Sequence, residues 1–170
     1  MTLRLRPYGV DDEAAAVAIH ESMLSDHFHF LLDWETSKSW SAFLQSNEEL
    51  RQGLNPSTYR VRGVQLVAVV DGELVGRASL RFELNEFFAE RGGHVGYGVA
   101  PAHRRKGYAT EILRQALIIL RADGVDRVLV TCGNDNVGSA RTIEQNGGVF
   151  ESSVPPVKGD AIDIRRYWIE

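Results

Sequence analysis

Two short apolar runs, residues 94–99 and 127–132, stand on either side of one long amphipathic helix, and no other feature constrains the fold of this chain as strongly. In the helix, Ala109, Ile112, Leu113, Ala116, Leu117 and Leu120 repeat at the i, i+3, i+4, i+7 spacing of a single buried stripe. Asp123-Gly124 supplies the glycine stop. A strand, a crossover helix and a second strand in this order make the two strands parallel neighbours in one sheet.

The remaining segments extend that sheet. Residues 2–6 alternate apolar and polar as a short half-buried strand, and Asp11 or Asp12 caps a helix running to about Leu24. Residues 26–55 have the weakest periodicity, with a helix expected over 36–50. The β-branched run 64–70, Asp71-Gly72 and residues 74–84 read as an antiparallel hairpin. A helix over 137–145 closes at Asn146-Gly147, and strands over 149–154 and 162–169 complete the chain. The expected class is α/β, a mixed antiparallel and parallel sheet flanked by about four helices in a single domain, residues 1–170.

Composition narrows the function classes. A net charge of −4 argues against general nucleic-acid affinity, which needs a positive field to displace counterions. No apolar run reaches the roughly 18 residues of a spanning helix, so a membrane partner is not expected and a cytoplasmic location is. The single cysteine, Cys132, excludes an internal disulfide, fits a reducing compartment and reads as a buried strand thiol.

Chemistry concentrates in VAPAHRRKGYAT, residues 99–110, which joins the end of a strand to the start of a helix. Unpaired amides and the helix dipole make such a junction an anion site. Gly107 lacks a Cβ and lets backbone approach a bulky anion, and Ala109 keeps the first turn open. Arg104, Arg105 and Lys106 add cations suited to a pyrophosphate, and Thr110 a hydroxyl. The alternative is a solvated basic loop with a helix-entry glycine. A dinucleotide fingerprint is excluded because Gly96-Tyr97-Gly98 precedes Pro101 and opens no helix, and no Gly-Lys-Ser or Gly-Lys-Thr marks a P-loop.

The run Arg104-Arg105-Lys106-Gly107-Tyr108-Ala109, with Val99-Ala100-Pro101 before it and Asn136-Val137-Gly138-Ser139 later, resembles the signature of the GCN5-related N-acetyltransferase superfamily, and the element order agrees over nearly the whole chain. GGHVGYGVAPAHRRKGYATEIL, TIEQNGG and RYWI look closest to a bacterial subgroup of acetyltransferases. The resemblance implies acetyl-coenzyme A as cosubstrate, an amine acceptor and no metal. It implies that the two parallel strands splay near Val99, whose backbone would pair with the pantetheine arm. An amide near Tyr97 or Gly98 would face the thioester oxygen, where negative charge develops in the transition state. Tyr108 falls within the pyrophosphate loop, and Asn136 and Ser139 would contact the coenzyme, the alternative for each being a helix cap.

The acid and base are less sharply marked. A lysine-like amine is unprotonated in only about one molecule in a few thousand at neutral pH, so some group must take its proton. His94 is the first choice, with Glu83 and Glu86 as rivals acting through water. The helix tyrosine that often protonates the departing thiolate in the resembled family is replaced by Ile143, which leaves Tyr97, Tyr108 and Tyr167 as candidates, Tyr97 foremost. His27 and His29 have same-face strand spacing, and with no third ligand they read as part of an aromatic cluster on the acceptor side rather than a metal site. Trp34 and Trp40 read as core packing that could also close this pocket. A homodimer is compatible with the sequence but not required by it. A non-catalytic acyl-coenzyme A sensor, and an enzyme using another acyl donor or a hydroxyl acceptor, stay open as alternatives.

Overall fold

The computed structural model describes residues 2–157 and 161–170. The strands are β1 (Arg4–Pro7), β2 (Gly63–Val70), β3 (Glu73–Arg81), β4 (Val95–Val99), β5 (Val128–Gly133), β6 (Val149–Val154) and β7 (Ile164–Ile169). The helices are α1 (Glu13–Met23), α2 (Trp40–Gln52), α3 (Tyr108–Ala122) and α4 (Val137–Gln145), with short 3-10 and π turns between elements. All seven strands form one sheet in the order β1-β2-β3-β4-β5-β7-β6. Among the described residues only the β4–β5 pair is parallel.

The β2–β3 hairpin turns at Asp71 and Gly72, whose φ values of 50° and 82° are the paired left-handed conformations that match strand twist. Ser39 caps α2 by accepting from Ala42 N–H at 3.2 Å. Helix α2 starts at Trp40, four residues later than the periodicity suggests, because this cap, and not the upstream Thr36, fixes the entry.

Two cores lie on opposite faces of the sheet. On one, Ile112, Leu113, Ala116, Leu117 and Leu120 of α3 pack on Leu66, Ala78, Leu80, Val95, Val128 and Val130. Each fully buried aliphatic side chain there contributes about 1.5–3 kcal/mol. On the other, Phe30, Leu31, Trp40 and Phe43 gather around Tyr8, Ala16 and Val67, with Trp34 edge-on to Trp40. The tryptophans are therefore packing residues. His27 and His29 do not lie on a strand: the chain there leaves α1 by a 3-10 turn and His27 adopts φ 55°, so their spacing carries no common face.

Strands β4 and β5 are joined at their bases. His94 N–H donates to Leu129 O at 2.8 Å, and Leu129 N–H donates to His94 Nδ1 at 2.9 Å. Val95 pairs with Val130 just beyond. His94 is 7% exposed, and burial, reinforced by the nearby Arg81 charge, lowers its pKa from 6.5 to about 4.

The neutral His94 ring thus holds the strand base together. A depressed histidine pKa makes this contribution complete above about pH 6.5 and lost as pH falls toward 4. The urea midpoint of the wild-type protein should fall through this window. His94→Asn, which keeps an acceptor oxygen near the Nδ1 position, should fall less steeply. Equal slopes for the two proteins would exclude His94 as the titrating group.

Candidate active site

Hydrogen bonding along β4 alternates. Ala100 N–H donates to Val75 O at 2.9 Å, so Gly98 and Gly96, in step with it, face β3, while the N–H and C=O groups of Tyr97 and Val99 turn toward β5. Strand β5 pairs with β4 only at Val95–Val130. Beyond that pair the strands part, leaving the Tyr97 and Val99 backbone edge without a neighbouring strand. Val99 O accepts from Arg104 Nε at 3.3 Å.

The gap opens into a groove of about 730 Å³ between β4, the first turns of α3 and α4, and residues 23–28. Gly107 is the N-cap of α3 with φ 79°, and no atom lies within 4 Å of where its Cβ would stand. The first helical bond is Glu111 N–H to Gly107 O, so the amides of Tyr108, Ala109 and Thr110 have no intrahelical acceptor. No side chain among the described residues caps them. Free amides and the positive end of a 15-residue helix thus face the groove together.

The predicted coenzyme residues Tyr97, Gly98, Val99, Arg104, Arg105, Gly107, Tyr108, Ala109, Thr110, Asn136 and Ser139 all line this groove. Lys106 is exposed and stands outside the lining. Arg104 pairs with Asp26 at 2.9 Å, an exposed pair of small energetic weight, while Arg105 and Arg141 have no ion pair among the described residues. Asn136 serves as a cap, its Oδ1 accepting from Ser139 N–H at 3.0 Å. The Thr110 hydroxyl is taken up by Gln145 Oε1 at 3.1 Å.

Tyr97 projects from β4 toward α4, where its hydroxyl lies 2.7 Å from Ser139 Oγ. Burial pushes its pKa up to about 12, so the phenol stays protonated at neutral pH. On the opposite face of the strand Phe28 lies against Gly98, where a Cβ would come within 2.3 Å of its ring. Met23, Asp26, Phe28, His103, Arg141 and Thr142 also line the groove and were not among the residues expected from sequence. Arg141, five residues after the helix-capping Asn136, carried a readable signal. Phe28 carried none, because its position depends on how the loop after α1 folds over the sheet.

The expected bases are corrected by geometry. The Nδ1 lone pair of His94 is occupied by Leu129 N–H, so the neutral ring carries its proton on Nε2 and has no free site to accept another. Glu83 is exposed and accepts from Arg62 N–H at 3.4 Å, and Arg62 in turn pairs with Asp123 past the C-terminal end of α3. That places Glu83 about 20 Å from the groove, the length of the helix. Glu86 is exposed in the β3–β4 connection and does not line the groove. Tyr167 is buried on β7, in the core under α3 and outside the groove lining.

Among the described residues no cluster of three metal-ligating side chains occurs, and no helix is long and apolar enough to cross a membrane.

The fold recurs in solved structures. A putative acetyltransferase of Salmonella typhimurium, yncA, determined with acetyl-CoA, superposes with a TM-score of 0.68 at 19% identity, over 100% of this chain and 94% of that one. RimJ of Mycobacterium smegmatis, in complex with CoA-disulfide, superposes with a TM-score of 0.73 at 21% identity, over 98% of this chain and 81% of that one. In sequence, an uncharacterized N-acetyltransferase of Bacillus subtilis, YjdG, is 35% identical over 57 residues, 33% of this chain and 34% of the relative. The match thus spans about a third of that protein. The model of the acetyltransferase (GNAT) family matches residues 18–147, a span that runs from α1 through the splayed strands, the α3 N-terminus and α4. The splayed strands, the open cradle and this match agree: the chain belongs to the acetyltransferase (GNAT) family.

Proposed function

We propose that this enzyme transfers the acetyl group of acetyl-CoA to the amine of a small acceptor by direct attack. The observation that carries this reading is the coincidence, in one groove, of a strand edge at Tyr97 and Val99 that β5 does not cover with a helix N-terminus at Gly107 that no side chain caps among the described residues. The α3 amides and Arg105 would hold the pyrophosphate, and the Val99 edge would pair with the pantetheine arm as an added strand. The groove fits this use: the space over Gly107 is clear, and the α3 amides lack other partners among the described residues.

When bound, acetyl-CoA supplies an activated thioester. The neutral acceptor nitrogen forms a bond to the acetyl carbon as the carbon–sulfur bond breaks, the nitrogen loses a proton and the sulfur leaves as a thiolate. The backbone amide of Tyr97 would steady the negative charge developing on the oxygen, whereas that of Gly98, turned toward β3, is already paired. Tyr97, held by Ser139, takes the place of the helix tyrosine that Ile143 replaces. With its pKa near 12 it is a poor donor of a whole proton to a thiolate of ordinary pKa about 8.5, so its contribution is a hydrogen bond to the departing sulfur. With His94 occupied, and Glu83 and Glu86 outside the groove, the acceptor's proton passes to water.

Three outcomes are expected. Gly107→Glu should abolish coenzyme A binding in titration calorimetry while circular dichroism stays unchanged; retained binding would place the pyrophosphate elsewhere. Tyr97→Phe should lower kcat by about 10- to 100-fold, the scale of one hydrogen bond to a charged group, with little change in the acetyl-CoA KM, measured as release of coenzyme A thiol. The pH profile of kcat/KM should inflect at the pKa of whichever amine is supplied. An inflection that stays fixed when the amine is changed would reveal an internal base.

A further inference from the structure

The face of the sheet opposite α3 carries two arginines at its centre. Arg77 and Arg81 lie on β3, two strand repeats apart and on the same side as Ser79; Arg77 and Ser79 pair across to Gly98 and Gly96 of β4, and Arg81 to His94 just before it. Arg77 is 7% exposed, stacks over Phe28 at 4.7 Å and donates one hydrogen bond, from Nη2 to His29 O at 3.1 Å. Its Nε is buried with no hydrogen-bond partner among the described residues. Its Nη1 lies over the central strand, 3.5 Å from where a Cβ on Gly96 would be.

Arg81 stacks on Phe88 at 4.1 Å and uses only Nη1, which donates to Gly93 O at 3.0 Å and more weakly to Gly92 O. It lines a second cavity of about 210 Å³ together with Gln65, Ser79, Tyr59 and Phe88. The cavity also contains Asp33, but that carboxylate is paired with Arg60 at 3.1 Å, which leaves the Arg81 charge uncompensated. Neither Arg77 nor Arg81 meets a carboxylate among the described residues.

Buried charge is costly unless paired, and a guanidinium has five donors to satisfy. Burial lowers both arginines only to about 10, so both stay charged at neutral pH. Arg81 faces the cavity beside the central strand, and Arg77, buried four residues along β3 with its Nε unpartnered among the described residues, adds a second positive charge behind it; together they call for an anion that the described residues do not supply. The fork of a guanidinium matches a carboxylate in geometry.

We infer that Arg77 and Arg81 form the acceptor's recognition site, and that the acceptor is a small amine bearing a carboxylate. The inference rests on the acetyl-transfer reading and specifies its second substrate. Strand β3 is one spacing, about 4.8 Å, from β4, and the cleft where β4 and β5 part is on the far side of β4. The acceptor would thus enter from the α1–α2 face with its carboxylate on β3 and its amine reaching across Gly96 toward the cleft. Phe28 and Phe88, each stacked on one of the arginines, would fix the guanidinium planes.

The test compares glycine, β-alanine and γ-aminobutyrate, each with its own carboxamide, by coenzyme A thiol release and by calorimetry in the presence of coenzyme A. For at least one chain length the acid should exceed its amide by about 10- to 100-fold in kcat/KM, expressed mainly in KM, as expected for charge-assisted hydrogen bonds. Arg77→Met and Arg81→Met should each shrink this ratio while the acetyl-CoA affinity stays unchanged, and Arg81→Lys should restore part of it. Amides turned over as well as acids throughout would overturn the anionic acceptor and leave acetyl transfer standing. Failure of every acid and amide to bind or react, with acetyl-CoA still bound, would overturn both.

Discussion

A single residue pair, Val95 with Val130, forms the parallel ladder between β4 and β5, and the bonds between His94 and Leu129 close its base. The groove beside β4 depends on how little of this seam is zipped. A full ladder would satisfy the Tyr97 and Val99 backbone groups and leave no place for a ligand. A weaker base would let the two halves of the sheet drift. One histidine ring, buried and neutral, supplies an acceptor where the backbone alone would leave the Leu129 amide unpaired.

From that junction the two faces of the sheet divide the work. The α3 face is packed with aliphatic side chains, so the helix is fixed and its N-terminus is held at the open end of the seam. The free amides of α3 are useful because the helix cannot move away from the strand edge they share a groove with. The other face carries an aromatic core under α1 and α2 and, toward β4, the arginines and small cavity. The groove and the arginine-lined cavity therefore sit on opposite sides of one strand whose even positions are glycines. At Gly98 the absent side chain admits Phe28, and Arg77 lies in ordinary contact with the strand at Gly96.

Local chemistry was legible in the chain wherever a single element carried it. The stripe from Ala109 to Leu120, the Asp71-Gly72 turn and the bounds of α4 each follow from spacing or turn preference, and the cradle at Gly107 follows from a strand end meeting a helix start. The acid–base reading was not recoverable in this way. His94 has the composition of a base and the position of a strand opener, but whether its nitrogen is free depends on Leu129, 35 residues away. Glu83 is close to the central strand in sequence and a helix length from the groove in space, because β3 ends at the opposite edge of the sheet from the α3 N-terminus.

By itself the sequence determined the order of elements, the parallel crossover and the glycine-led start of α3, because each is set by periodicity and backbone preferences within about twenty residues. The tertiary structure decided where the seam stops pairing, which side chains face which groove, and that His94 is a bracket in place of a base. It also placed two arginines on β3 beside a central strand without a carboxylate near them among the described residues. Those outcomes depend on hydrogen-bond register and burial between distant segments, and a charge's lack of a partner exists only once every neighbour is in place.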